Sequence, residues 1–169
     1  MFKNIYFIKE YLIGYSDITA LFLTSNNIFK IISKNEVKNN MVIGVTINSY
    51  ESISLLKRIR KEFPKNKIIC GGIGVYHLFN KILLYADYVY FGEAFIFDEE
   101  CILSNKYEKD KVKINRKIPF ENIPIVKTGK KIYYFLTEVG CPYGCEFCYV
   151  SAVNKYQKIG NQEFIDRIK

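Results

Sequence analysis

The feature that most constrains the fold is an apolar run that is followed by an amphipathic helix and then by a second apolar run. The first run, residues 41–47, is rich in β-branched side chains, which is typical of a strand buried on both faces. Over residues 50–63 apolar side chains recur at helical spacing, and Pro64 ends the helix. A second strand is predicted over residues 67–70. A strand, helix and strand in this order predict a parallel sheet.

The same alternation extends in both directions along the chain. Further strands are predicted over 3–8, 28–32 and 86–91, further helices over 17–23, 75–85 and 95–103, and a polar loop over 34–40. We therefore expect residues 1–103 to form an α/β domain of the flavodoxin or Rossmann type, with a parallel sheet and helices on both faces. Ligands of such sheets bind at the carboxyl ends of the strands.

The character of the chain changes after residue 103. Residues 104–131 are charged and contain two prolines, so they are predicted to be a linker that includes a small hairpin. A strand is predicted over 132–137, and a helix begins at residue 161. We expect residues 132–169 to start a second domain, whose first strand either pairs with the N-terminal sheet or is poorly anchored.

Composition narrows the classes of protein to consider. Lys and Arg outnumber Asp and Glu by 25 to 17, but the lysines are scattered. The densest basic run, residues 57–61, lies on the polar side of a predicted helix, so a solvated face is favoured and a nucleic-acid partner is not expected. No apolar run approaches the ~18–20 residues of a membrane span, and no secretory signal is apparent. We expect a cytoplasmic protein with no membrane partner.

Cysteine spacing is the most informative feature for function. The chain has five cysteines, an odd number, which argues against a disulfide framework. Three of them, Cys141, Cys145 and Cys148, have the spacing C-x3-C-x2-C. Soft thiolate ligands select iron–sulfur clusters or zinc. A 4Fe–4S cluster usually takes four cysteines, so three ligands would leave one iron open for another molecule.

Zinc is the alternative that has to be weighed. A structural zinc site needs four ligands and usually shows two paired half-sites. The remaining candidates are Cys70, Cys101 and the single histidine, His77, and none of them forms a second C-x2-C pair. The spacing therefore favours an iron–sulfur cluster, with a zinc-binding or unoccupied cysteine loop as the alternative.

Residues 135–148, FLTEVGCPYGCEFC, resemble the cluster-binding loop of the radical S-adenosylmethionine (SAM) superfamily. The resemblance implies that Cys141, Cys145 and Cys148 bind three irons of a 4Fe–4S cluster and that SAM binds the fourth. It also implies an electron donor, reductive cleavage of SAM and radical chemistry on a substrate that the sequence does not identify. Phe147, by the same resemblance, packs near the SAM adenine.

The N-terminal part resembles the cobalamin-binding domain that precedes the radical SAM core in one subgroup, in residues 43–46, 68–72 and 86–93. The resemblance implies contacts with cobalamin from a small set of strand-end residues. These are Thr46, Gly71 and Gly72, with Gly92 and Glu93 nearby. The sequence lacks the subgroup's Asp-x-His-x-x-Gly motif and the Pro-His after the glycine pair, so a vestigial domain of the same fold that does not bind cobalamin is the alternative.

In this superfamily the core is a (β/α) barrel. It needs about 200 residues, because even a partial barrel contains about six βα units. Residues 149–169 are all that follows Cys148 here. We therefore expect an incomplete barrel, from a truncated or split reading frame or with a second chain that supplies the remainder. The alternative function is a non-catalytic α/β binding module.

Overall fold

The computed structural model describes residues 2–12, 27–92, 99–104, 125–127, 133–134, 136–146, 148 and 156–169. Contacts divide the chain into an N-terminal unit, Met1–Val112, and a C-terminal unit, Lys113–Lys169. The predicted linker over 104–131 falls largely outside the described residues, so the predicted domain limits stay predictions.

A six-stranded sheet forms the centre of the N-terminal unit. Its strands are β1 (Ile5–Ile8), β2 (Phe29–Ile32), β3 (Val42–Thr46), β4 (Lys67–Gly71), β5 (Tyr88–Tyr90) and β6 (Ile102–Leu103). The strand order is β2-β1-β3-β4-β5-β6. The first five strands pair in parallel, with Tyr6 opposite Ile43 and Ile43 opposite Ile68. This is the flavodoxin-like order, so the α/β prediction is confirmed for this unit.

The last strand lies where a helix is predicted from the sequence. Residues 95–103 were predicted to be helical, but Glu99–Cys101 is a single 3-10 turn and Ile102–Leu103 is a strand antiparallel to β5. The sheet is therefore mixed rather than wholly parallel. A short apolar run fits a buried strand as well as a helix, and pairing with β5 decides between them. Residues 95–98 lie outside the described part of the chain.

Two helices, α1 (Glu51–Glu62) and α2 (Val75–Ile82), pack on one face of the sheet. Their buried side chains meet those that β3, β4 and β5 direct to that face, and together they form the larger core. It includes Ile43, Val45, Leu56, Ile59, Ile68, Cys70, Val75, Phe79, Ile82 and Val89. The predicted helix boundaries are confirmed for α1 to within one residue at each end.

The other face of the sheet carries a second, smaller apolar cluster. It includes Ile5, Phe7, Phe29, Ile69, Tyr90 and Cys101. The helix predicted over 17–23, which would supply a cover for this face, lies outside the described residues. Helices on both faces of the sheet therefore stay a prediction.

The basic side chains of α1 are not all fully exposed to solvent. Lys57, Arg58 and Lys61 are exposed, and the Arg58 guanidinium lies 4.9 Å from the centre of the Tyr11 ring. Arg60 is half-buried and ion-paired with an aspartate. This basic charge is therefore partly engaged within the N-terminal unit.

The C-terminal unit contains two small antiparallel sheets and a helix. β7 (Val126–Lys127) pairs with β8 (Tyr133–Tyr134), and β9 (Glu138–Val139) pairs with β10 (Gln157–Lys158). α3 (Asn161–Ile168) follows, as the sequence predicts. Among the described residues, the predicted strand over 132–137 is limited to β8, and it pairs with β7 and not with the N-terminal sheet. The start of a parallel barrel stays a prediction.

Among the helices that the structure describes, none combines the length and the hydropathy of a membrane-spanning segment.

Candidate functional site

The cysteine loop begins at the end of a short strand. Val139 in β9 is buried, and its neighbour across the sheet is Gln157. The N–H of Ile159, another buried residue, donates to the carbonyl of Thr137 at 2.9 Å. At Gly140 the backbone turns with φ of 82°, a left-handed conformation that glycine adopts without a steric cost. The strand pair therefore anchors the residue from which the loop departs.

The three cysteines of this loop are within reach of solvent. Cys145 is exposed, and Cys141 and Cys148 are half-buried. The N–H of Cys148 donates to the carbonyl of Cys145 at 3.0 Å, so the last two cysteines lie at the two ends of one tight turn. A side chain at Gly144 would meet nothing within 4 Å. None of the three thiols is in a disulfide.

The three cysteines have the chemistry of cluster ligands, but their side chains are not gathered around one point. Three accessible thiols in one short loop are a suitable donor set for an iron–sulfur cluster. The described residues contain no group of three or more His, Cys, Asp or Glu side chains gathered as a metal ion would need. Ligation would therefore require the loop to draw its thiols together. Phe147, the predicted SAM contact, lies outside the described residues.

The other two cysteines are part of the hydrophobic core. Cys70 in β4 has no exposed surface, and Cys101 is 3% exposed. Burial raises the pKa of both thiols above the ordinary range, so both stay protonated at neutral pH. Thiolates are the metal-binding form of cysteine, so neither residue is available as a fourth ligand in the folded chain. His77 lies on the exposed side of α2.

The residues proposed by resemblance to contact cobalamin lie at the carboxyl ends of β3, β4 and β5. Gly72 has φ of 94°, and a Cβ placed on it would lie 2.7 Å from Cγ2 of Thr46. The N–H of Ile47 donates to the carbonyl of Gly71 at 2.8 Å, and the N–H of Gly74 donates to the carbonyl of Ile47 at 2.7 Å. The loops after β3 and β4 are therefore interlocked, and Thr46 and Gly72 are in contact.

The third strand end is described only in part. Gly92 follows β5, and Tyr90 contacts it and also lies 3.6 Å from the position of a Cβ on Gly71. Glu93 lies outside the described residues. The structure thus brings Thr46, Gly71 and Gly72 to one edge of the sheet.

A cavity of about 160 Å³ opens at this edge, between β1, β3 and α1. It lies where the strand order reverses, which is where ligands bind in open α/β sheets. Its lining includes Thr46, which the sequence analysis singled out, and also Tyr11, Asn48, Ser49 and Ser52, which it missed. Residues that carry no recognised motif and come from two separate segments give no local signal in a sequence.

The size of this cavity bears on cobalamin. Pockets for drug-sized ligands span roughly 300–1,000 Å³, well above the volume here. The cavity fits a group of about one ring, so at most a small part of a cobalamin molecule could enter it. Cobalamin binding through Thr46, Gly71 and Gly72 stays a prediction.

No protein-family model matches this chain, and neither a curated protein nor a solved structure is similar to it at a significant level.

Proposed function

We propose that the chain binds a 4Fe–4S cluster through Cys141, Cys145 and Cys148 and coordinates SAM at the iron they leave open, as a radical SAM enzyme or part of one. The observation that carries the proposal is the combination of spacing and access. The three cysteines with the C-x3-C-x2-C spacing are half-buried or exposed in one loop, whereas the remaining two are buried in the core.

The same observation weakens the zinc alternative. A structural zinc site is closed by four ligands. With Cys70 and Cys101 enclosed in the N-terminal unit, the cysteine loop has three thiols and no fourth cysteine to add. A three-thiolate site is by contrast what a cluster with one open iron requires.

The roles of the chain's own residues follow from this. The three thiolates would hold the cluster, β9 and β10 would anchor the loop, and Phe147 would pack against the SAM adenine. When bound, such a cluster supplies one-electron chemistry to a molecule at its open iron. The substrate is not assigned.

The proposal has consequences for partners and location. Reduction of the cluster implies an electron donor as a partner. None of the five cysteines forms a disulfide, which fits a reducing compartment such as the cytoplasm.

Anaerobic reconstitution of the full chain with iron and sulfide, followed by addition of SAM, tests the proposal. We expect a brown protein whose absorption and electron paramagnetic resonance spectra change when SAM is added. Cys145→Ala should abolish both the colour and the response. Cys101→Ala, which removes a cysteine outside the loop, should keep both.

Two results would count against the proposal. A colourless protein that holds one zinc ion would favour the non-catalytic binding module. A cluster whose spectrum is unchanged by SAM would leave iron–sulfur binding in place but remove the radical SAM function.

A further inference from the structure

The cavity at the β1 and β3 ends is lined by both apolar and polar side chains. The apolar ones belong to the larger core and to the helix that covers it, and they include Ile8, Ile43, Val45, Leu55 and Ile59. The polar ones include Thr46 at the end of β3, Asn48 and Ser49 in the loop that follows, and Ser52 in the first turn of α1. Such a site suits a ligand with an apolar body and a polar edge.

In many sheets of this type a helix N-terminus at this position binds phosphate. Here that role is already filled from within the chain. Ser52 Oγ accepts the N–H groups of Asn48 at 3.2 Å and Ser49 at 3.3 Å. The hydroxyl of Ser49 donates to the carboxylate of Glu51 at 2.5 Å. The N–H groups of Asn48 and Ser49 are therefore occupied, and a negative charge already lies at the first turn of α1.

The charge of the ligand follows from the lining as well. No Asp, Glu, Lys, Arg or His lies among the described residues that line the cavity. An ionised ligand would lose its hydration without gaining an ion pair, at a large cost in free energy. An uncharged ligand that carries an amide or a hydroxyl group has a much smaller hydration cost and can still form hydrogen bonds with the polar lining residues.

The size of the ligand follows from the volume. An apolar protein cavity of roughly 150 Å³ holds one benzene molecule. The cavity here has about 160 Å³. We propose that this cavity binds an uncharged compound of about the size of one ring that carries a hydrogen-bonding group, and that it does not bind phosphate. None of the lining residues that the structure describes is a cysteine, so this inference does not depend on iron–sulfur binding.

Nuclear magnetic resonance of the ¹⁵N-labelled full chain tests the inference with nicotinamide as the neutral probe and nicotinate and inorganic phosphate as charged ones. We expect saturable shifts of the amides of Thr46, Asn48 and Ser52 with nicotinamide, with a dissociation constant of about 1 mM for so small a ligand. Nicotinate should bind at least about tenfold more weakly, because its carboxylate would lose hydration in the cavity without gaining an ion pair. Phosphate should not shift these amides.

Variants locate the binding. Leu55→Phe should fill the cavity and abolish the shifts, whereas Leu84→Phe, the same change at an exposed position, should leave them unchanged. Thr46→Val removes one hydroxyl from the lining with little change of side-chain shape and should weaken binding several-fold. This variant tests the inference if Leu55→Phe does not fold. Absence of saturable nicotinamide shifts, equal affinity for nicotinate, or unchanged binding by both cavity variants would overturn the inference.

Discussion

The guanidinium of Arg60 in α1 lies 2.5 Å from the carboxylate of Asp87, which precedes β5. Arg60 also donates to the carbonyls of Tyr85 at 2.7 Å and Asn66 at 2.9 Å. The same Asp87 oxygen accepts the N–H of Ile68 at 2.9 Å. This half-buried pair therefore ties the end of α1 to the starts of β4 and β5.

Asp87→Asn should lower the free energy of unfolding by about 2 kcal/mol, because it removes charge-assisted hydrogen bonds from a half-buried site. Lys67→Met is the matched comparison. The Lys67 ammonium lies 3.0 Å from Asp87 but is 59% exposed, so solvent screens this ion pair and its loss should lower the free energy of unfolding by clearly less than Asp87→Asn does. Urea unfolding monitored by circular dichroism gives both values. Equal costs for the two variants would contradict the structural role given to Arg60 and Asp87.

Acid should weaken the same pair. Burial alone raises the pKa of Asp87, but hydrogen bonds from the Ile68 N–H, Arg60 and Lys67 outweigh burial and hold the pKa below its ordinary value. Because the pKa is lower in the folded chain than in the unfolded one, the stabilisation is complete above the unfolded value of about 3.9 and is lost as the pH falls through the folded value. Unfolding free energies at pH 6 and pH 3 should therefore differ less in Asp87→Asn than in the wild type. An identical pH dependence of the two proteins would show that Asp87 is not the group responsible.

The contact between Gly72 and Thr46 predicts a difference between two neighbouring glycines. Gly72→Ala combines a left-handed backbone with a Cβ 2.7 Å from Thr46, and should cost about 2 kcal/mol or more of stability. Gly71→Ala places its Cβ 3.6 Å from Tyr90, an ordinary contact, and should cost less than about 1 kcal/mol. Thermal unfolding compares the two. A larger loss of stability in Gly71→Ala than in Gly72→Ala would contradict the close contact between Gly72 and Thr46.

Cysteine burial predicts which thiols react. In the native chain iodoacetamide should modify Cys141, Cys145 and Cys148, because their thiols reach solvent. Cys70 and Cys101 should react only after denaturation, since burial raises the pKa of each thiol and excludes the reagent. Peptide mass spectrometry reads the modified positions. Native modification of Cys70 at the rate of Cys145 would rule out the sheet position given to Cys70.

Some of this fold could be predicted from local patterns, and some could not. β3 and β4 are apolar runs buried on both faces, and α1 has helical spacing that ends at a proline, so each is recognisable on its own. The reversal of strand order between β1 and β3 depends on pairing between distant segments. Ile102–Leu103 shows the limit, because its pairing with β5 overrides a pattern that also fits a helix.

The two candidate sites differ in the same way. The cysteine loop is a local spacing, so Cys141, Cys145 and Cys148 could be singled out from the sequence. The cavity draws on Tyr11 and on Ser52, which come together only when α1 packs beside β1 and β3. Among the described lining residues, Thr46 was predicted as a ligand contact from the sequence, and only through a resemblance.

The most direct test of the central proposal is the amount of iron and acid-labile sulfide bound per chain after anaerobic reconstitution and desalting. We predict about four of each in the wild type and in Cys101→Ala, as a 4Fe–4S cluster requires, and less than about one of each in Cys145→Ala. A wild-type chain without iron, or a Cys145→Ala chain that retains the wild-type amount, would contradict cluster binding by this loop.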